Sequence, residues 1–331
     1  MTAPRLEAPH RRLRPGSRVF ERAVVLGYRA VAWLISRLPP AIPRVVLARG
    51  AQLSYLLWPT KRRWSNANFG HVLGLPPGDP RVRRTALDAY ATYGRYVVEL
   101  ARLPRLAREH ADELVAGTDL DAVHRIWQES EGGLIFTLGH VGNGEAVAAG
   151  VASRGWPISV LADDSSFPEM FEEFRRTREQ WGVRVIPWRN IREIYAVLRR
   201  REMLALLIDW GYRPDGIPVR LFDAWTTLPA GPATLAAKTR SRILPVSIHR
   251  KPGGRSFLIS WAEPIMVASA EPADLQRATQ QMADAFAATV GKAPAQWYSF
   301  KPVWPADSDE GEALAGRAAA MLANERIAEP A

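Results

Sequence analysis

The 331-residue chain has no cysteine. That excludes disulfides, thiolate metal sites and cysteine nucleophiles in one step. It is poor in lysine: of 44 basic residues only Lys61, Lys238, Lys251, Lys292 and Lys301 are not arginine. Signatures of several large enzyme classes are also missing. There is no P-loop, no G-x-S-x-G elbow and no H-E-x-x-H, and "GHVGNG" does not satisfy G-x-G-x-x-G. Any chemistry must therefore rest on His, Asp, Glu, Ser or Arg.

What is present is a folded composition, 47% hydrophobic with 12 tryptophans, and a formal charge of +10. A basic protein is drawn to anionic surfaces, whether nucleic acid, an anionic leaflet or phosphorylated substrates. The basic residues are spread along the chain or sit beside apolar helices without a recognition motif, so nucleic acid is the weakest of these partners.

Residues 1–19 read as a basic flexible tail, with five arginines and three prolines. The next stretch, "FERAVVLGYRAVAWLISRLPP", is apolar for about five helical turns before two prolines stop it. Arg22, Arg29 and Ser36 recur at a spacing of seven and form one narrow polar stripe. A central Arg29 makes spanning a bilayer expensive. Lying in the membrane interface fits better, and an ordinary packing helix is the remaining alternative. With the apolar "IPRVVLARGAQLSYLLW" and the periodic "RRTALDAYATYGRYVVELARLP", residues 20–105 are expected to be helical and membrane-associating. In the last segment Tyr90, Tyr93 and Tyr96 share a side and fit a core position.

From about residue 106 short apolar runs alternate with helical patterns. Strands are expected at 133–138, 158–163, 183–188, 203–209, 242–248 and 256–261, and helices at 144–153, 168–181, 190–200 and 230–240. This alternation predicts an α/β domain over 106–305, a mixed central sheet flanked by helices, forming one domain with the preceding helices. A C-terminal helix and tail occupy 306–331.

The most informative stretch is "LIFTLGHVGNGEAVAAG", residues 134–150. A buried strand ends at Gly139-His140, and the carboxyl end of a strand is where α/β folds place ligands and catalysts. Gly139, Gly142 and Gly144 let the chain turn and let a substrate approach the backbone. Glu145, in the first turn of the next helix, is placed to fix the tautomer of His140, so that the imidazole takes a proton from an attacking hydroxyl. A surface histidine with a helix-dipole glutamate nearby is the plain alternative.

The H-x4-E motif in "LGHVGNGE" resembles the His-x4-Asp/Glu motif of the glycerolipid acyltransferase superfamily, specifically its lipid A late-acyltransferase branch, and is similar to that of phosphatidylinositol mannoside acyltransferases. Three further segments agree in order: residues 171–211, residues 219–250 ("VRLFDAWTTLPAGPATLAAKTRSRILPVSIHR") and the closing "APAQWYSFKPVW". The resemblance implies transfer of a fatty acyl chain from acyl-CoA or acyl carrier protein to a hydroxyl of a glycolipid or lysophospholipid, at the cytoplasmic face of the cell membrane. Membrane lipids are then partners, and no metal or bound cofactor is required. It casts His140 as general base and Glu145 as its acidic partner. Gly142 and Asn143 are candidate donors to the thioester oxyanion, Asn143 alternatively starting the helix. Asp163 is a possible second acid, either orienting His140 or binding the acceptor, with strand-end capping as the other role. Arg175, Arg176, Arg178 and Arg213 are candidate phosphate ligands. Asp209 is a structural strand-end acid or part of the site. A silent lipid-binding scaffold and a thioester or lipid hydrolase remain as rival readings.

Overall fold

The computed structural model describes residues 15–163, 168–251 and 256–323. Most of the expected N-terminal tail, residues 1–14, and the end of the expected C-terminal tail, 324–331, lie outside the described residues. Within them, the first helix begins at Pro15 rather than at residue 20: proline suits a first helical turn, where its missing N–H costs nothing.

Four helices lead: α1 (Pro15–Arg37), α2 (Ala41–Leu57), α3 (Pro59–Leu73) and α4 (Pro80–Glu109). α2 lies close against α4, where Gly94 faces the backbone of Leu47: a Cβ there would stand 2.3 Å from the Leu47 carbonyl oxygen. After the short α5 (Ala111–Leu114) and α6 (Leu120–Gln128) come the alternating elements β1 (Leu134–Leu138), α7 (Gly144–Ala152), β2 (Ile158–Ala162), α8 (Pro168–Glu179), β3 (Arg184–Pro187), α9 (Ile191–Arg199) and β4 (Met203–Leu207). A hairpin, β5 (Ile217–Leu221) and β6 (Ala224–Leu228), precedes α10 (Gly231–Thr239), β7 (Arg242–Arg250), β8 (Phe257–Trp261), α11 (Pro272–Lys292) and α12 (Ser308–Ala323).

The central sheet has the order β3-β2-β4-β1-β7-β8. All neighbours are parallel except the edge strand β8, which runs antiparallel to β7. Parallel strands must be covered on both faces, and β1 shows how the sequence provides for it. Leu134 and Phe136 face a cluster with Ala146, Val147 and Val151 of α7, while Ile135 faces Ile194, Val197 and Leu198 of α9 and Met282 and Phe286 of α11. Phe69 of α3 and Val82 and Ala86 of α4 enter the second cluster, so the leading helices share the core of the sheet.

The expected strands and interposed helices are found, with ends displaced by a residue or two. The β5–β6 hairpin was not anticipated. Among the described residues no helix is long and apolar enough to cross a membrane. Their large exposed apolar side chains nevertheless concentrate on α1 and α2, among them Phe20, Val24, Val31, Trp33, Val45, Val46, Leu53 and Leu57.

Candidate active site

β1 and β4 lie side by side and parallel, with Leu138 opposite Leu207. The residues that follow each strand therefore emerge together at the carboxyl edge of the sheet. One is His140 and the other is Asp209. The His140 Nδ1 lies 2.7 Å from Asp209 Oδ1, and the His140 backbone N–H donates to Oδ2 at 2.9 Å. The indole Nε1–H of Trp297 donates to the same Oδ2 at 2.9 Å. An ionised carboxylate only accepts, so Nδ1 carries the proton and Nε2 is left as the basic nitrogen. The Asp209 side chain is wholly enclosed, whereas 37% of the His140 side chain stays open.

The pair is electrostatically self-consistent. Burial works against the imidazolium, but the charge and hydrogen bond of Asp209 outweigh it and hold His140 above the ordinary histidine value; Lys301 opposes and Glu145 adds slightly. Burial likewise works against the Asp209 carboxylate. The His140 charge, the His140 N–H and the Trp297 indole outweigh it and hold the acid below its usual range. Trp210 stands edge-on to the imidazole at 5.6 Å, and the Lys301 ammonium lies over the Trp210 ring at 5.7 Å.

The carboxylate hydrogen-bonded to His140 is thus Asp209 rather than Glu145. Glu145 does sit in the first turn of α7, but Arg178 of α8 takes its carboxylate in a bidentate pair, with Nε to Oε2 at 2.8 Å. Two ions this enclosed must neutralise each other. Short sequence spacing could not show this, because the competing arginine comes from another helix.

Gly142 and Asn143 are also committed elsewhere. Gly142 adopts φ +66° and its N–H donates to the Gln296 carbonyl at 3.2 Å, so it is not a free oxyanion donor. Asn143 caps α7, its Oδ1 accepting from Ala146 N–H at 3.0 Å while its Nδ2 donates to Glu99 at 3.1 Å. The helix-starting alternative is the one realised. A Cβ on Gly142 would stand 2.3 Å from the Ile248 carbonyl oxygen, in a backbone conformation that already disfavours side chains. Gly142→Ala is expected to cost about 2 kcal/mol of stability, measured by denaturant unfolding, because a backbone oxygen cannot swing aside.

Asp163, just past β2, accepts from the Trp188 indole at 3.3 Å, and β4 lies between its strand and the strand that carries His140. Arg175 pairs with Glu172 and Glu179 of its own helix, and Arg213 pairs with Asp215 on an exposed turn. Arg176 is exposed on α8. Of the four arginines only Arg178 pairs with an acid of the turn that follows β1.

Sequence reasoning gave no role to Glu99 or Arg250, and gave Trp297 only a place along an acyl groove or in the core, not one beside this turn. The segment around Trp297 runs antiparallel to it: Val141 bridges Trp297, and Tyr298 N–H donates to the His140 carbonyl at 2.9 Å. Behind Asn143, Glu99 of α4 and Arg250 of β7 form a second bidentate pair, at 2.8 and 2.7 Å. Burial works against the Arg250 charge, and Glu99 more than offsets it, raising its affinity for the proton. Glu99→Ala leaves that guanidinium enclosed without its carboxylate and frees the cap of α7; a loss of about 3 kcal/mol is expected in equilibrium unfolding. Tyr93 and Tyr96 stack on each other and against Tyr298, so two of the expected core tyrosines extend a wall to the site, and only Tyr90 is fully enclosed.

Beside the turn, an apolar cavity of about 60 Å³ lies between α7 and the sheet, lined by Leu138, Gly144, Val147, Ala148, Phe136 and Val246 among others. Among the described residues no cluster of His, Asp and Glu is placed to hold a metal ion. An open imidazole oriented by a buried carboxylate, next to an apolar cavity, is equipped to deprotonate a hydroxyl or water beside a hydrocarbon chain.

A profile of the bacterial lipid A biosynthesis acyltransferase family matches residues 13–305. A phosphatidylinositol mannoside acyltransferase of Mycolicibacterium smegmatis is 29% identical over 301 residues, 88% of this chain and 95% of the relative. Phosphatidylinositol mannoside acyltransferases from two strains of Mycobacterium tuberculosis are 28% identical over 257 residues, 73% of this chain and 77% of each relative.

Proposed function

Because the chain belongs to the bacterial lipid A biosynthesis acyltransferase family and is an acyltransferase of lipid biosynthesis, we propose that it moves a fatty acyl chain from acyl-CoA or acyl carrier protein to a glycolipid or lysophospholipid hydroxyl. The names of its relatives point to a phosphatidylinositol mannoside as acceptor. The observation that carries the mechanism is the open imidazole of His140 held by the enclosed carboxylate of Asp209.

His140 Nε2 takes the proton of the acceptor hydroxyl as its oxygen attacks the thioester carbonyl carbon. The C–O bond forms, the C–S bond breaks, and the departing thiolate receives the proton from the imidazolium. Asp209 fixes the tautomer and stabilises the imidazolium between these steps. Glu145, neutralised by Arg178, shapes the turn and the local field. The cavity between α7 and the sheet suits the methylenes of the acyl chain next to the reacting carbon.

The exposed apolar faces of α1 and α2, edged by Arg22, Arg29 and Arg49 and followed by Lys61 between Trp58 and Trp64, fit a protein that lies on the cytoplasmic leaflet, where its donors are found. Changing Trp33 and Leu34 to serine is expected to weaken sedimentation with anionic vesicles about tenfold without shifting the melting temperature, since both side chains are already exposed.

Incubating the purified protein with palmitoyl-CoA, or with palmitoyl carrier protein, and a phosphatidylinositol mannoside tests the reaction. Thiol release that depends on the acceptor and matches acylated lipid supports transfer. Release that ignores the acceptor makes the protein a hydrolase, and no release with either donor makes it a silent scaffold.

A further inference from the structure

Unlike an ordinary surface helix, the first helix buries an acid while leaving large apolar side chains exposed. Its inward side contains Glu21, Val25, Tyr28 and Ile35, while Phe20, Val24 and Trp33 face outward. A glutamate only 2% exposed needs a partner. Glu21 finds it in the backbone N–H of Glu169, 2.6 Å away, in the first turn of α8. This is the service a capping side chain performs, supplied here by a different helix, with a negative charge set against the positive end of α8.

The same contact continues along α8. Tyr28 meets the Phe174 ring edge-on at 5.4 Å, and Arg29 pairs with Glu173. The Arg178 guanidinium lies over that Phe174 ring, 5.4 Å from its centroid, and grips Glu145. One helix is thus held near its start by α1 and delivers, near its end, the arginine that neutralises an acid five residues beyond His140.

We infer that Glu21 is a positioning residue for acyl transfer: by capping α8 it sets where Arg178 meets Glu145 beside the catalytic turn. The inference rests on the reading of His140 as the base of the transfer reaction. It makes α1 part of the catalytic unit as well as a surface for lipid.

The test uses the full-length protein with palmitoyl-CoA and a detergent-dispersed phosphatidylinositol mannoside, without vesicles. Glu21→Ala is expected to lower kcat about tenfold while KM for the donor changes less than about twofold. Glu21→Gln, whose amide oxygen still accepts the Glu169 N–H, is expected to recover most of the rate. In an Arg178→Ala background the Glu21→Ala change should cost less than about twofold more, because the two residues act in series. An unchanged kcat, no recovery by glutamine, or fully additive losses overturns the inference. If Glu21→Ala does not fold, Arg29→Gln removes an exposed link in the same contact; a two- to threefold fall in kcat at unchanged melting temperature is expected, and an unchanged kcat overturns the inference. Absence of transfer by the wild type overturns this inference together with the functional reading, whereas wild-type transfer with unaffected variants overturns this one alone.

Discussion

Replacing His140 with alanine is expected to lower acyl transfer about 10³-fold, within the range that a positioned general base contributes. The side chain is partly open and fills no core volume, so the fold should survive. What changes is the chemistry: His249, on the adjacent strand β7, is buried with its Nε2 bonded to the Thr289 carbonyl, so it cannot stand in and the acceptor hydroxyl loses its base. Asp209 keeps the backbone N–H of residue 140 and the Trp297 indole, so the enclosed carboxylate stays partly satisfied and the stability loss should be about 1 kcal/mol. Initial rates of thiol release, alongside a thermal melt, check both statements. A folded variant within tenfold of wild type would remove His140 from the mechanism.

Asp209→Asn should be at least as damaging for a different reason. Oδ2 accepts from two N–H groups, those of His140 and Trp297. An asparagine satisfies them only by placing its carbonyl oxygen there, which turns its amide N–H toward His140 Nδ1. The imidazole must then accept at Nδ1 and carry its proton on Nε2, which disables the basic nitrogen. A fall in kcat on the order of 10³ to 10⁴ is expected.

The pH profile carries an independent signature. Asp209 holds His140 above its ordinary value, so wild-type activity rises with pH through a midpoint above about 6.5. With the charge gone, burial outweighs the weak pull of Glu145 on the imidazole, and the residual activity should rise at lower pH. The linkage to stability has a definite sign for each partner. His140, raised on folding, contributes stability that is complete below about pH 6.5 and lost as pH rises through its folded value. Asp209, lowered on folding, contributes stability present above about pH 4 and lost as pH falls through its folded value. The pair stabilises most in the mildly acidic window between them, and the asparagine variant should lose that feature of the wild-type curve. A pH-independent stability difference would contradict the coupling.

The strands were legible because "LIFTL", "MLALL" and "RILPVSI" are apolar runs bounded by turn residues, which fully covered parallel strands require. Their order was not. Chain order would set β2 beside β1, whereas β4 takes that place, and this neighbourhood is what brings Asp209 to His140. Local spacing favoured Glu145, five residues from His140 where Asp163 is 23 and Asp209 is 69 residues away, and it had no means of weighing Arg178, 33 residues beyond Glu145. The β5–β6 hairpin escaped because its two-residue turn is Phe222-Asp223, with Phe222 at φ +55°, in place of the Asn-Gly or Asp-Gly pair that announces such turns. The first two helices were legible as apolar, but the burial of Glu21 was not, since a charged residue in a sequence reads as an outward one.

The clasp between Trp297 and Asp209 also bears on when the enzyme becomes active. A ribosome synthesises His140 and Asp209 long before it reaches Trp297, and a nascent chain halted between them holds a base whose orienting acid lacks its indole donor and whose turn has no antiparallel partner at Val141 and Gly142. At about 5–20 residues per second, that interval lasts several seconds or more. With His140 as the proposed base, the unfinished protein is expected to be catalytically mute, acyl transfer beginning only once the closing segment has been made and has folded back over the first strand.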